Sequence, residues 1–353
     1  MSEKRRLPEL QVLSVLFCLL VILGHSCSHA ETVLDKLSWQ FAAATMLHRL
    51  CFVAVPGFFL LSGVKLTLPQ TRPRSFPVYW RKRAKSLLLP YGIAAAVYEL
   101  YFVRHGYYAF SLPSFLRRLV TGEIAAPFYF LVILVQFVVL APLFQRLAER
   151  YSPVLLLPFA AGITLLSFVW WNDLLHVFAP HAWFAYSDRV FTSWCFYFLA
   201  GCCIGARYDA FCALLARHRA FLAVLCAVFA AADGLLTVAL YSGRAVVPCL
   251  DLVHMLFYLA ALGVLYDLAL RRRSPLPPLP AAFDRAGFLI YLYHALVILV
   301  FDSLVYRLPN THEGPLLPLR FAVAVLVTGG LCILWQRIPT ALRKAREPRL
   351  PSN

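Results

Sequence analysis

The chain has 353 residues, of which 61% are hydrophobic and 14% charged, and it carries a formal net charge of +16. A soluble domain carries roughly 25% charged residues and could not hide this much apolar surface in one core, so a soluble globular class is excluded. What remains is an all-α, polytopic transmembrane helical bundle, because lipid offers no partner to the open edge of a strand.

Apolar stretches near the roughly 20 residues that cross hydrocarbon predict about ten helices. They fall at about 10–29, 41–64, 86–104, 126–145, 153–172, 190–207, 220–241, 246–269, 286–306 and 316–336. The first has a basic start and the small residues Ser28 and Ala30, as a signal peptide would. Nine further spans make cleavage unnecessary, so it is expected to stay as a helix carrying Ser14 and, in its outer half, His25. The second holds Arg49, with His48 beside it, about two turns inside its outer end. The polar stretch Lys65–Lys85 follows, interrupted by Pro69, Pro73 and Pro77. Glu99 lies near the outer end of the third span. The segment Arg104–Pro127 mixes aromatic and basic residues in the manner of a stretch lying along the interface. Asp233 sits deep in the seventh span, and Asp251 and His254, three apart on the eighth, share a face. Tyr291 and His294 repeat that spacing on the ninth. A proline-rich connector after Arg271-Arg272-Arg273 is stiff. The last span runs into a basic tail from about residue 337, and residues 1–353 read as a single transmembrane domain without an internal repeat.

The distribution of charge sets the topology. With the N-terminus in the cytoplasm, the cytoplasmic segments hold 24 Lys and Arg and the external ones 8, counting Arg320 at the outer end of the last span. That excess is what the positive-inside rule requires, with both termini cytoplasmic. The basic balance is therefore topological, with contact to anionic lipid as a second use, and nucleic-acid binding is excluded. The ten cysteines show neither metal spacing nor a disulfide framework, so no metal site is expected.

Ionisable groups at membrane depth cost several kcal/mol unless paired. Asp233 and Glu99, taken singly, read as paired structural groups. His25, Arg49 and His294 together predict a shared polar cavity.

Four segments, in order, resemble the acyltransferase-3 family of integral membrane O-acyltransferases. Leu13-Ser-Val-Leu-Phe-Cys-Leu-Leu-Val-Ile-Leu-Gly-His25 is similar to that family's first helix, and Arg49 through the aromatic run to Ser62-Gly63 is similar to its second. Tyr79-Trp-Arg-Lys-Arg83-Ala-Lys-Ser-Leu-Leu-Leu-Pro90-Tyr91 resembles its basic approach to the third helix, and Phe288-Leu-Ile-Tyr291-Leu-Tyr-His294 its late Ile-Tyr-Leu-x-His element. Phe196-Tyr-Phe-Leu-Ala-Gly201 fits a weaker intermediate element. The resemblance implies transfer of an acyl group, usually acetyl, from cytoplasmic acyl-CoA to a hydroxyl of a cell-surface glycan or its lipid-linked precursor. Acetyl-CoA would be a co-substrate rather than a tightly bound cofactor, and the protein would sit in the plasma membrane. His25 would be the base, and Arg49 would bind a phosphate or the developing oxyanion. Arg81, Lys82, Arg83 and Lys85 stand where the coenzyme's phosphates would arrive, although ordinary topology accounts for them equally. Ser14, Ser62, His254, Tyr291 and His294 would line the substrate cavity, with helix packing the other reading of Tyr291 and His294.

Three positions depart from the family's pattern. Ser14 stands where an arginine is common, eleven residues before His25, and Gln11 where an acidic residue is frequent. The fourth span opens Pro127-Phe-Tyr-Phe-Leu without a polar residue often found there. A secondary transporter or glycan exporter, and a catalytically silent assembly or sensor protein, are the alternative readings. The acceptor and the oligomeric state are not encoded in any motif.

Overall fold

The computed structural model describes residues 7–179, 181–247, 249–272, 274–305 and 313–346. The basic residues Lys4, Arg5, Arg6, Arg273, Arg307 and Arg349 lie outside these. Among the described residues every regular element is helical. In chain order the α-helices are α1 (Pro8–Cys27), α2 (Ala30–Val33), α3 (Trp39–Cys51), α4 (Ala54–Thr67), α5 (Phe76–Arg83) and α6 (Leu89–Arg104). Next come α7 (Leu112–Thr121), α8 (Tyr129–Val139), α9 (Ala141–Arg150), α10 (Pro153–Val169) and α11 (Trp171–Phe178). The chain continues through α12 (Cys195–Ala206), α13 (Tyr208–Tyr241), α14 (Leu250–Leu270), α15 (Pro278–Val305) and α16 (Glu313–Arg346).

Each of the ten expected spans falls on helix, but not all ten are long enough to cross a membrane. Among the described residues, seven helical stretches are long and apolar enough to cross a membrane. Two more are bent pairs, α7 with the segment Ala126–Val139 at 56° and α10 with α11 at 74°. The remaining one is the shorter apolar stretch Phe191–Ala206.

Prolines account for several of the breaks. Pro56 has no N–H for the Phe52 carbonyl, and the chain there tightens, with Val55 N–H bonding to Phe52 at 3.1 Å. The expected continuous span 41–64 is therefore α3 and α4 with a kink beside Arg49. Pro142 likewise releases the Val138 carbonyl, which accepts the Trp80 indole N–H at 2.9 Å. This separates α8 from α9, where a single span at 126–145 was expected. α7 presents Leu112, Leu116 and Val120 outward at four-residue intervals, an apolar stripe suited to an interface.

α1 lies at the centre, against α3, α4, α14, α15 and α16. Leu13, Phe17, Ile22 and Cys27 on it are almost wholly buried. α4 and α12 approach most closely because glycines face each other. A Cβ added at Gly63 would meet the Phe198 carbonyl oxygen, and one at Gly201 the Leu60 carbonyl oxygen. Such small-residue seams replace the hydrophobic drive that lipid removes between helices. Thr67 Oγ1 closes the seam, donating to the Cys202 carbonyl at 2.7 Å.

The segments assigned to the cytoplasm converge at one end of the bundle. Arg72 pairs with Glu149 at 3.1 Å, Tyr208 donates to Glu9 at 2.5 Å, and Arg207 donates to the Ala148 carbonyl at 2.8 Å. Arg271 pairs with Asp267 at 2.7 Å at the same end. We call this the basic end. At the opposite end Arg118 grips Glu99 at 2.7 Å, and Tyr108 donates to the same carboxylate at 2.9 Å. Glu99 is thus the paired structural group that its position suggested.

Candidate functional site: a histidine pair between α1 and α15

His25, in the last turn of α1, and His294, on α15, are brought together with ring centroids 5.2 Å apart. Gly24 lets α3 come in beside them. A Cβ there would stand 3.3 Å from Cys51 Cβ and 3.7 Å from His48 Cδ2. A cavity of about 60 Å³ results, lined by Gly24, His25, His48, Phe52, Pro127 and Tyr291 among others. Since a water needs about 10–15 Å³ of such space, the cavity has room for a few waters or for the carbonyl end of a small acyl group.

The hydrogen bonds fix part of the chemistry. His294 Nδ1 lies 2.8 Å from the Tyr291 carbonyl, which can only accept, so Nδ1 carries the proton. Nε2 is then an imidazole lone pair, buried and without a partner among the described residues. Tyr291 in turn donates its hydroxyl to the Pro127 carbonyl, tying α15 to the start of the fourth span. His48 Nδ1 meets Glu31 at 2.7 Å, a carboxylate–imidazole pair on the cavity wall. Behind His25, Arg320 donates to the Ser26 carbonyl at 2.8 Å and to Asp302 at 2.6 Å. That pairing anchors α16 and α15 to the end of α1.

Arg49 belongs to a different network. Its Nε reaches Asp233 at 3.4 Å, and Asp233 accepts His254 Nδ1 at 2.7 Å. His254 Nε2 then receives the Tyr258 hydroxyl. The sequence Tyr258 → His254 → Asp233 ← Arg49 leaves each of these contacts with a donor facing an acceptor. Phe52 stands between this network and the histidine cavity, with ring centroids 5.0 Å from His48 and 6.5 Å from His254. Of the expected cavity residues, the structure gathers His25, Tyr291 and His294, and it sets Arg49 with His254.

A second cavity, of about 490 Å³, opens at the basic end between the start of α1, the end of α4 and the start of α15. Gln11, Lys65, Gln70, Thr71 and Arg285 line it. Gln11 Nε2 lies 3.4 Å from Asp284. Ser14 is one turn further along α1 and partly buried, as is Ser62 on α4. Neither makes a side-chain hydrogen bond among the described residues. Arg81, Lys82, Arg83 and Lys85 are exposed on and just after α5, with Arg83 5.4 Å from the Tyr79 ring.

Arg320, Asp302 and Glu31 are site residues that no motif in the sequence marks. Arg320 was within reach, since an arginine inside an apolar run is itself a sign of a buried partner. Glu31 carries no such signal. Among the described residues, no group of three or more His, Cys, Asp or Glu side chains is placed to hold a metal ion.

Fold and site together define a multi-pass membrane protein with an imidazole pair enclosed at the seam of its central helix. The family model described as "Acyltransferase domain" matches residues 7–335, and the chain belongs to the acyltransferase-3 family. It is similar to the Bacillus subtilis (strain 168) protein named "Putative membrane-bound acyltransferase YfiQ". The two are 22% identical over 328 residues, covering 90% of this chain and 88% of that one. It is also similar to the Staphylococcus epidermidis "Probable poly-beta-1,6-N-acetyl-D-glucosamine export protein", at 23% identity over 339 residues and 94% and 90% coverage. No solved structure matches the chain.

Proposed function

We propose that this protein is a membrane O-acyltransferase of the plasma membrane. It moves an acyl group, acetyl in the simplest case, from cytoplasmic acyl-CoA to a hydroxyl of a cell-surface glycan or its lipid-linked precursor. The observation that carries the reading is the His25–His294 pair, with His25 on the wall of a small cavity. His25 takes the proton of the acceptor hydroxyl as that oxygen attacks the thioester carbonyl. The carbon–sulfur bond then breaks, and the departing thiolate recovers the proton from the imidazolium. The His294 ring, whose Nε2 has no partner among the described residues, has its centroid 5.2 Å from that of His25. With the basic end in the cytoplasm, the Gln11, Lys65 and Arg285 cleft and the exposed Arg81–Lys85 group offer cations to the coenzyme's phosphates.

The test is release of free coenzyme A thiol, and label transfer to acceptor, from labelled acetyl-CoA by the purified chain in liposomes. A positioned base contributes about 10²–10⁴ in rate, and His25→Ala should lose that much while folding normally. A folded His25→Ala protein with the wild-type rate would overturn the assignment. Export of a glycan is the second reading. It is favoured by the buried Arg49–Asp233–His254 network, since ionisable chains inside a bundle also mark transport paths. Flux of N-acetylglucosamine oligomers into proteoliposomes without acyl-CoA would support that reading instead.

A further inference from the structure

An apolar groove of about 590 Å³ runs between α10, α12, α13 and α14, away from the histidine pair. That volume falls within the roughly 300–1,000 Å³ typical of ligand sites. Leu157, Ile204, Phe211 and Leu262 are among its walls, and Leu214 and Phe221 on its rim are exposed side chains. The groove is not uniformly apolar. Arg207 and His218 lie along it at the basic end, at the limits of the sixth and seventh expected spans, where headgroups would be. Arg207 is held in place by its bonds to the Ala148 carbonyl at 2.8 Å and the Tyr151 carbonyl at 3.3 Å. Those use two of five guanidinium donors, and both acceptors are neutral, so the positive charge is not neutralised by them. Deeper in, Tyr197, only 2% exposed, is among the lining residues.

We propose that this groove is a binding site for an anionic phospholipid, with one acyl chain along α12 and α13 and the phosphate against Arg207 and His218. The apolar walls suit a hydrocarbon chain, and the cationic mouth suits a headgroup of net negative charge rather than a zwitterionic one. Basic residues near the membrane surface contribute about 1 kcal/mol each to anionic-lipid attraction. The ester oxygens of a diacyl lipid are acceptors within a few carbons of its phosphate, so the lipid brings both the anion and the chain that the groove is shaped for. The inner end of the groove reaches Tyr197, whose ring centroid is 6.2 Å from that of Tyr258. A bound chain would therefore press on the wall of the network that holds Arg49. The proposal stands on the groove alone and does not depend on the acyl-transfer reading.

The experiment is native mass spectrometry of the full chain, delipidated in detergent and titrated with dioleoyl phosphatidylglycerol or dioleoyl phosphatidylcholine. One phosphatidylglycerol should be retained at a concentration on the order of tenfold lower than phosphatidylcholine. Ala210→Trp, which fills the groove from an exposed position, should abolish that retained lipid. His218→Ala and Arg207→Gln should bring phosphatidylglycerol towards the phosphatidylcholine level. Leu326→Trp, on another exposed face, should change nothing. Equal retention of the two lipids by the wild type, or undiminished retention by a folded Ala210→Trp, would overturn the proposal. So would displacement of phosphatidylglycerol by a lower concentration of a polyprenyl phosphate, which would make an isoprenoid the occupant.

Discussion

Replacing Asp233 by alanine withdraws an acceptor shared by Arg49 and His254. The carboxylate is 0% exposed, while the Arg49 side chain keeps 16% exposure. Breaking a buried ion pair by deleting one partner costs about 3–5 kcal/mol, because the other charge is left uncompensated. The 3.4 Å contact and the residual exposure of Arg49 place the ionic part near the lower end of that range. His254 Nδ1 loses its 2.7 Å acceptor as well, and an orphaned buried donor adds about 1–3 kcal/mol. A total of about 4–6 kcal/mol is therefore expected. Asp233→Asn keeps an oxygen for His254 and should cost only about 1–3 kcal/mol. Arg49→Met combined with Asp233→Leu removes both charges and should recover about 2 kcal/mol relative to Asp233→Ala. Equilibrium unfolding of the purified chain in mixed micelles measures all three. The reasoning fails if Asp233→Ala lies within about 1 kcal/mol of wild type, or if the double variant is no more stable than the single one.

Other substitutions probe the packing and the turns. Gly201→Leu drives a side chain into the Leu60 backbone across the α4–α12 seam, and it should leave no monodisperse protein in size-exclusion chromatography. Gly162→Ala, with open space around the new methyl, should be neutral or gain up to about 1 kcal/mol from helix propensity. Gly122 ends α7 at φ +71°, with Phe128 backbone 3.0 Å from any Cβ. Gly122→Ala should cost about 1–2 kcal/mol or more from the left-handed backbone, read as a lowered melting temperature. Tyr291→Phe deletes the bond to the Pro127 carbonyl and should cost about 0.5–1.5 kcal/mol in the same assay.

The existence of the spans was written in composition, because only a long apolar helix satisfies both lipid and its own backbone. Charge counting grouped the loops that the structure gathers at the basic end, as the Arg72–Glu149 and Tyr208–Glu9 contacts show. His25 and His294, 269 positions apart in a chain of 353, were singled out together from the sequence, and the fold brings their ring centroids within 5.2 Å.

What the sequence left open was direction. In water, polarity marks the outward face of a helix; in lipid both faces are apolar, so the periodicity that assigns an inner face is weak. Arg49 could be placed at depth but not aimed, and only packing turns it towards Asp233, 184 residues away, rather than towards His25. The same holds for Glu31, which lies outside the expected spans and finds His48 only because Gly24 admits α3. The groove beside Arg207 is likewise a product of how α10, α12, α13 and α14 diverge, a matter of shape that no residue pattern records. Length and apolarity determined that these helices cross the membrane; contacts between glycines, prolines and buried charges decided which faces meet.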